Sequence, residues 1–263
     1  MTSERHVDIA GKRTKLMTGG DPAGTPLLYL HSAGGETLWL PFHDGLAAHF
    51  HLHAPAHPGF DSSGGLDQID SIEDLAFHYL DFIDAMGWRE VSVVGLSMGG
   101  WIGAELACRW PERVRRLVLV DAAGLHVDGA PMQPLWDHTR DHEHMRRLIF
   151  ADPTSMMAKL LIPPFDDAPE QLLELGMKAA EAAARVAWNP YFENPKLRGR
   201  LHRIKSPTLV LWGELDRLIP LAHGRAYAEL IPGARLEVIP NCGHMPVFEA
   251  TEAFCKAVTE FCK

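Results

Sequence analysis

The chain has 263 residues, 46% of them hydrophobic, and a formal net charge of −9. That is enough apolar material for one large core, which excludes a disordered chain, and the acidic balance argues against a nucleic-acid surface. The densest basic stretch, RVRR at Arg113 to Arg116, reads as a solvated junction between helix and strand.

In chain order, HVDIAG and RTKLMTGG predict a hairpin-like opening pair. PLLYLH, from Pro26 to His31, reads as a buried strand, and TLWLPFHDGLAAHF as a helix. FHLHAP is a further strand, followed by the loop HPGFDSSGGLD. Ser71 then caps a helix through Met86, with Glu73 and Asp74 in its first turn, where the helix dipole favours acids. VSVVGL is a short β-branched strand, WIGAELACRWPERV carries helical spacing up to Pro111, and RRLVLVDAAG is the next strand. From Pro207 the alternation resumes with the strand TLVLWG, the helix IPLAHGRAYAELI, the strand ARLEVIP and a closing helix to Phe261. Apolar runs too continuous for a one-sided sheet, alternating with helices, predict a mostly parallel sheet covered on both faces.

Between Gly124 and Arg203 the alternation breaks. HTRDHEHMRRLIF and EQLLELGMKAAEAAARVAW are helical, LIPPF is a joint between them, and no strand signal intervenes. The expectation is an all-helical cap at 124–203, inserted after the sixth strand over the C-terminal ends of the strands, where such sheets bind ligands. Residues 1–123 and 204–263 then form the core.

The chemistry concentrates at VVGLSMGGWIG. An abrupt turn from strand to helix presses the first helical turn against the strand end, so Gly95, Gly99 and Gly100 remove side chains that would collide. Ser97 at the apex would be held in strained backbone with its hydroxyl exposed, the G-x-S-x-G nucleophile elbow. A serine hydroxyl needs a positioned base, and the base needs a carboxylate. LWGELD places Asp216 after one strand, and IPNCGHMP places His244 after the next. Asp121, after LVLV, is the rival acid; its expected role is to stabilise the turn into the insertion.

At these residues the chain resembles the α/β-hydrolase family over nearly its whole length. HSAGG at His31 is similar to the family's His-Gly segment, with Ser32 where glycine is usual. Its loop implies a second oxyanion amide from Ala33 or Gly34, with Ala33 preferred, to pair with Met98 N–H. HPGFDSS is similar to the loop H-x-G-x-G-x-S, with Asp61 where a second glycine often stands. LWGELDRLIP and GHMPVFE match the acid and histidine loops.

The resemblance implies a serine hydrolase that cleaves a carboxylic ester or lactone through an acyl-enzyme on Ser97, with His244 as base and Asp216 as its orienting acid. The alternatives are a carbon–carbon bond hydrolase of a ring-cleavage product, a perhydrolase-type acyl transfer, and a ligand receptor on the same fold. Carbon–carbon hydrolases tend to carry Asn where Leu96 stands and Trp where Met245 stands. A dehalogenase or epoxide hydrolase would need aspartate at position 97.

Trp39, Trp136 and Trp188 are the expected substrate-binding aromatics, for a small molecule with an apolar moiety; Met98 is also expected to line the pocket. His49, His51 and His53 share a strand face, but a metal site needs three or four converging ligands, so neither metal nor cofactor is expected. The four cysteines form no C-x-x-C pair. No run approaches the roughly 20 apolar residues that span a bilayer, and the N-terminal MTSERHVDIAGKRTKL lacks a signal-peptide apolar segment. A cytoplasmic monomer or homodimer that engages neither membrane nor nucleic acid is expected.

Overall fold

In the computed structural model, which describes residues 2–135 and 141–263, eight strands form one sheet in the order β1-β2-β4-β3-β5-β6-β7-β8. They are β1 (Ser3–Ile9), β2 (Lys12–Gly19), β3 (Pro26–Leu30), β4 (His51–Pro55), β5 (Val91–Leu96), β6 (Val114–Val120), β7 (Thr208–Gly213) and β8 (Arg235–Ile239). β2 runs antiparallel to β1 and β4, and the remaining pairings are parallel.

The strand side chains divide by parity between two cores, as a pleat buried on both sides requires. Val93, Leu117, Leu119, Val210 and Trp212 pack on one face against α2 (Ile72–Ala85), α3 (Met98–Arg109) and α7 (Leu221–Leu230). Val94, Val118, Val120, Leu209 and Leu211 pack on the other, against α1 (Pro41–Ala47) and α9 (Thr251–Cys262). A short α8 (Pro246–Glu249) precedes the closing helix.

Among the described residues the predicted elements are present, with two informative differences; residues 138–140, the start of the expected helix HTRDHEHMRRLIF, lie outside the described residues. The helix expected from Thr37 begins only at Pro41, because a residue before proline is driven out of the helical region, and Leu40 is extended at φ −121° and ψ 161°. Between β6 and β7 lie α4 (His142–Ile149), α5 (Met156–Leu161) and α6 (Glu170–Ala187). The middle helix has no counterpart among the predicted elements; its six residues are too few to show a period, and its start is marked by Ser155, whose side chain accepts from Ala158 N. Among the described residues this segment contributes no strand to the sheet; it makes only an isolated bridge between Gly124 and Glu193.

Candidate active site

The turn from β5 into α3 holds Ser97 at φ 53° and ψ −114°, a backbone conformation that L-residues rarely adopt. The steric reason for its glycines is direct. A Cβ on Gly95 would sit 2.3 Å from Gly99 O, one on Gly99 2.1 Å from Leu30 O, and one on Gly100 2.6 Å from Ala122 Cβ. Ser97 N–H donates to Val120 O at 2.8 Å and Ser97 O accepts from Ala123 N at 3.1 Å, so the end of β6 and the loop after it brace the strained residue on both sides. Met98 opens α3, where an amide has no intrahelical acceptor. Its side chain is wholly buried in the core and does not line the cavity described below.

Asp216 and His244 meet on the loops after β7 and β8. His244 Nδ1 lies 2.7 Å from Asp216 Oδ2, while Leu218 N and Ile219 N both donate to Asp216 Oδ1 at 2.9 Å. With both amides on Oδ1, Oδ2 is left to accept from the imidazole, which fixes Nδ1 as the protonated nitrogen. Close passage of the two loops requires Gly213, where a Cβ would lie 1.9 Å from Gly243 O. No hydrogen bond joins Ser97 Oγ to His244; such contacts commonly tighten only when substrate binds.

Asp121 belongs to this centre and is not merely a residue of the turn. It is fully buried at φ 42°, and Gly213 N donates to its Oδ1 at 2.9 Å. Asp121, Asp216 and His244 present side-chain atoms that all lie within 4.8 Å of one another. Two buried carboxyls this close cannot both be ionised. Asp216 receives three donors and Asp121 one, so the proton resides on Asp121, whose pKa is raised well above the ordinary carboxylate range by burial and then by the Asp216 charge.

The loop after β3 is held from below by histidine. His57 N donates to His31 Nε2 at 2.9 Å, so His31 carries its proton on Nδ1 and donates to Ser32 O at 2.8 Å; burial pushes the His31 pKa down to about 4, which keeps it neutral. Gly34 N–H is taken by Ser32 Oγ at 2.9 Å and Gly35 N–H by Ser32 O at 3.1 Å. The Ala33 amide enters none of the loop's hydrogen bonds, which favours Ala33 over Gly34 as the donor facing the cavity. Asp61, standing where glycine is frequent, has φ 52°, a left-handed conformation that Asp tolerates better than most residues, and it pairs with Lys15 Nζ at 2.7 Å.

Ser97 and His244 open on a cavity of about 460 Å³ whose walls come from Ala33 to Leu38, from α4 to α6 and from Met245 and Phe248. The lining is mostly Leu, Ile, Met, Phe and Ala. Its titratable side chains are Glu36, His142 and His244, and it contains neither Lys nor Arg among the described residues.

Two expected substrate-binding aromatics lie elsewhere. Trp39 donates from Nε1 to Asp44 at 2.8 Å and stacks on His43 with ring centroids 5.1 Å apart. It thereby anchors α1 to β2, where Gly19 makes room for its ring. Trp188 follows the last turn of α6 and is 61% exposed, outside the cavity wall. Trp136 lies outside the described residues.

Two acids were missed: Glu36, which no motif signals, and Glu249, which closes GHMPVFE but was assigned no role. Glu36 accepts from Ser32 N at 2.8 Å and Ser32 Oγ at 2.7 Å. Glu249 accepts from Gly243 N at 3.0 Å and Ala151 N at 2.7 Å, which ties the histidine loop to the helical insertion. His244 N, donating to Ile149 O at 2.7 Å, closes the same junction.

A parallel-centred sheet, a strained serine between β5 and α3 and an Asp–His pair after β7 and β8 define a hydrolase of α/β architecture. A profile of the alpha/beta hydrolase family matches residues 27–257, and the chain belongs to that family. It is similar to 2-hydroxymuconate semialdehyde hydrolase of Pseudomonas putida, 30% identical over 278 residues that cover 98% of this chain and 93% of the relative. Among solved structures, a serine hydrolase involved in carbazole degradation superposes with a TM-score of 0.81 at 26% identity, covering 99% of this chain and 98% of the other. A membrane phospholipase A gives 0.82 at 25%, covering 99% and 85%. No helix among the described residues is long and apolar enough to cross a membrane.

Proposed function

We propose that the protein is a serine hydrolase acting on an uncharged, largely apolar carboxylic ester or lactone. The observation that carries this reading is the apolar cavity, without Lys or Arg among its described residues, that opens on Ser97 and His244. Ser97 Oγ attacks the carbonyl carbon while His244 Nε2 takes its proton, and Asp216 holds the imidazole and compensates its positive charge. The amides of Ala33 and Met98 receive the oxyanion, where preorganised donors matter most. His244 returns the proton to the leaving alcohol, and water, activated by the same imidazole, releases the acid. The helices of 124–203 act as a cap that selects the acyl or alcohol group by shape.

A second reading is carbon–carbon bond hydrolysis of a ring-cleavage product. It is supported by the names of the relatives, which favour it over ester cleavage. Several of those names end in dienoate, a carboxylate that a pocket would have to hold. Among the described residues the cavity sets Glu36 and no Lys or Arg against such an anion, which is costly and weighs toward the neutral ester. Chromogenic esters of graded acyl length, assayed beside a dienoate ring-cleavage product, separate the two. Rapid multiple turnover of the esters supports the main reading. Preferential loss of the dienoate chromophore would replace it with the second, and binding without turnover would replace both with a receptor.

A further inference from the structure

Glu36 is a carboxylate in an unusual place. It is 8% exposed, lines the cavity beside Ser97 and His244, and has no Lys or Arg partner among the described residues, although burial raises its pKa above the usual carboxylate value. A buried carboxylate without a cation is destabilising unless hydrogen bonds compensate it. Two compensating bonds come from Ser32, through N–H to Oε2 at 2.8 Å and through Oγ–H to Oε1 at 2.7 Å, and the backbone N–H of Glu36 itself adds to them.

With its proton committed to Glu36, Ser32 Oγ turns a lone pair to Gly34 N–H at 2.9 Å. Ser32 O meanwhile takes Gly35 N–H at 3.1 Å and His31 Nδ1–H at 2.8 Å. This chain of bonds uses the loop amides on either side of Ala33, and the Ala33 amide itself enters no hydrogen bond among the described residues. Remove the carboxylate, and the Ser32 hydroxyl is released to rotate, Gly34 N–H loses a fixed acceptor, and Ser32 N–H loses its anchor, so the peptide between Ser32 and Ala33 is held through Ser32 O alone.

We propose that Glu36 is the positioning residue of the oxyanion hole, its carboxylate clamping Ser32 so that Ala33 N–H faces the oxygen of the tetrahedral intermediate. The clamp answers the departure at position 32: a serine there acquires a fixed conformation because an acid four residues on binds both of its donors. The role rests on the serine-hydrolase reading, because only an oxyanion needs that amide. A negative charge this near would oppose the oxyanion through space, so positioning and field predict opposite outcomes when the charge is removed.

The test compares Glu36→Gln, Glu36→Ala and Ser32→Ala with the wild type, after melting temperatures show each is folded. The readings are kcat and KM on a neutral ester, and the rate of covalent labelling by an organophosphonate, with Ser97→Ala as control. Losing one oxyanion donor outright costs about 10²–10³ in kcat. The expected loss is therefore about 10²-fold for Glu36→Ala and about 10-fold for Glu36→Gln, which keeps one acceptor. KM should stay within about twofold, because the oxyanion exists only after attack. Labelling should slow in parallel, and Ser32→Ala combined with Glu36→Ala should lose little more than either alone, since both break one contact.

Faster turnover in Glu36→Gln, or an unchanged kcat and labelling rate in Glu36→Ala, overturns the proposal while Ser97-dependent labelling keeps the hydrolase reading. Labelling that persists in Ser97→Ala, or a wild type that is not labelled, overturns the hydrolase reading and the role built on it. Should Glu36→Ala not fold, the near-isosteric Glu36→Gln carries the same decision.

Discussion

Asp216 and its rival Asp121 each follow a strand of the parallel sheet, and the structure makes them chemically opposite. Replacing Asp216 by Asn should leave the fold intact, favour the wrong imidazole tautomer and lower turnover about 10⁴-fold where chemistry limits the rate, the scale measured for a triad acid. Asp121→Asn should leave turnover nearly unchanged. A neutral Asp121 donates toward Asp216 and accepts from Gly213 N, and an asparagine amide can do both. Were Asp121 ionised instead, removing a charge within 4.8 Å of His244 would withdraw about 3 kcal/mol of attraction at an effective dielectric constant near 20. The acid limb of the rate profile would then move down by about two pH units. A second measurement reads the same proton. The folded-state pKa of Asp121 is raised, so above the unfolded-state value of about 3.9 the native state holds a proton that the unfolded chain gives up. Wild-type stability therefore falls as pH rises through that window, by up to about 1.4 kcal/mol per pH unit. Asp121→Asn has no such proton, so its melting temperature should match the wild type near pH 3.5 and exceed it increasingly toward pH 7. A dead Asp121→Asn beside an active Asp216→Asn would move the acid to the loop after β6 and refute the assignment. An acid limb lowered by two units would refute the neutral Asp121.

Ser97→Ala should abolish organophosphonate labelling and nearly all turnover, as intact-mass and rate measurements would register; a label found on another residue would displace Ser97. Gly99→Ala places a Cβ 2.1 Å from Leu30 O, so it should lower stability by about 2–4 kcal/mol in denaturant titration, and a variant as stable as wild type would mean that the elbow relaxes freely. Gly176 lines the cavity, and a Cβ added there would meet no atom within 4 Å. Gly176→Phe should therefore fill the acyl space and shift ester preference toward shorter chains with the melting temperature unchanged, whereas an unaltered chain-length profile would exclude α6 from substrate selection.

What was legible in the sequence is what local sterics and periodicity encode. Gly95, Gly99 and Gly100 announce the elbow because no other residue fits against Leu30, Gly99 and Ala122. The parity of VSVVGL and TLVLWG announces a strand buried on both faces. The chain order Ser97, Asp216, His244 announces which loops must converge. Trp39 and Trp188 misled because an aromatic near a motif carries the same letter whether it lines a cavity or pins a helix; only the Nε1 bond to Asp44 and the exposed turn after α6 distinguish those fates. The acids are subtler. Asp121 and Asp216 each follow a strand of the parallel sheet, and nothing local records that Asp216 faces two amides and an imidazole while Asp121 faces one amide and a second carboxyl. Protonation state is a property of that contrast, so no reading of either residue alone could assign it. Glu36 goes further, since its partner is only four residues away, yet the loop between them has no period from which a meeting could be inferred. A departure from a motif, here Ser32 in place of glycine, is thus where the sequence does signal a compensating residue, and the space around the departure is where to look for it.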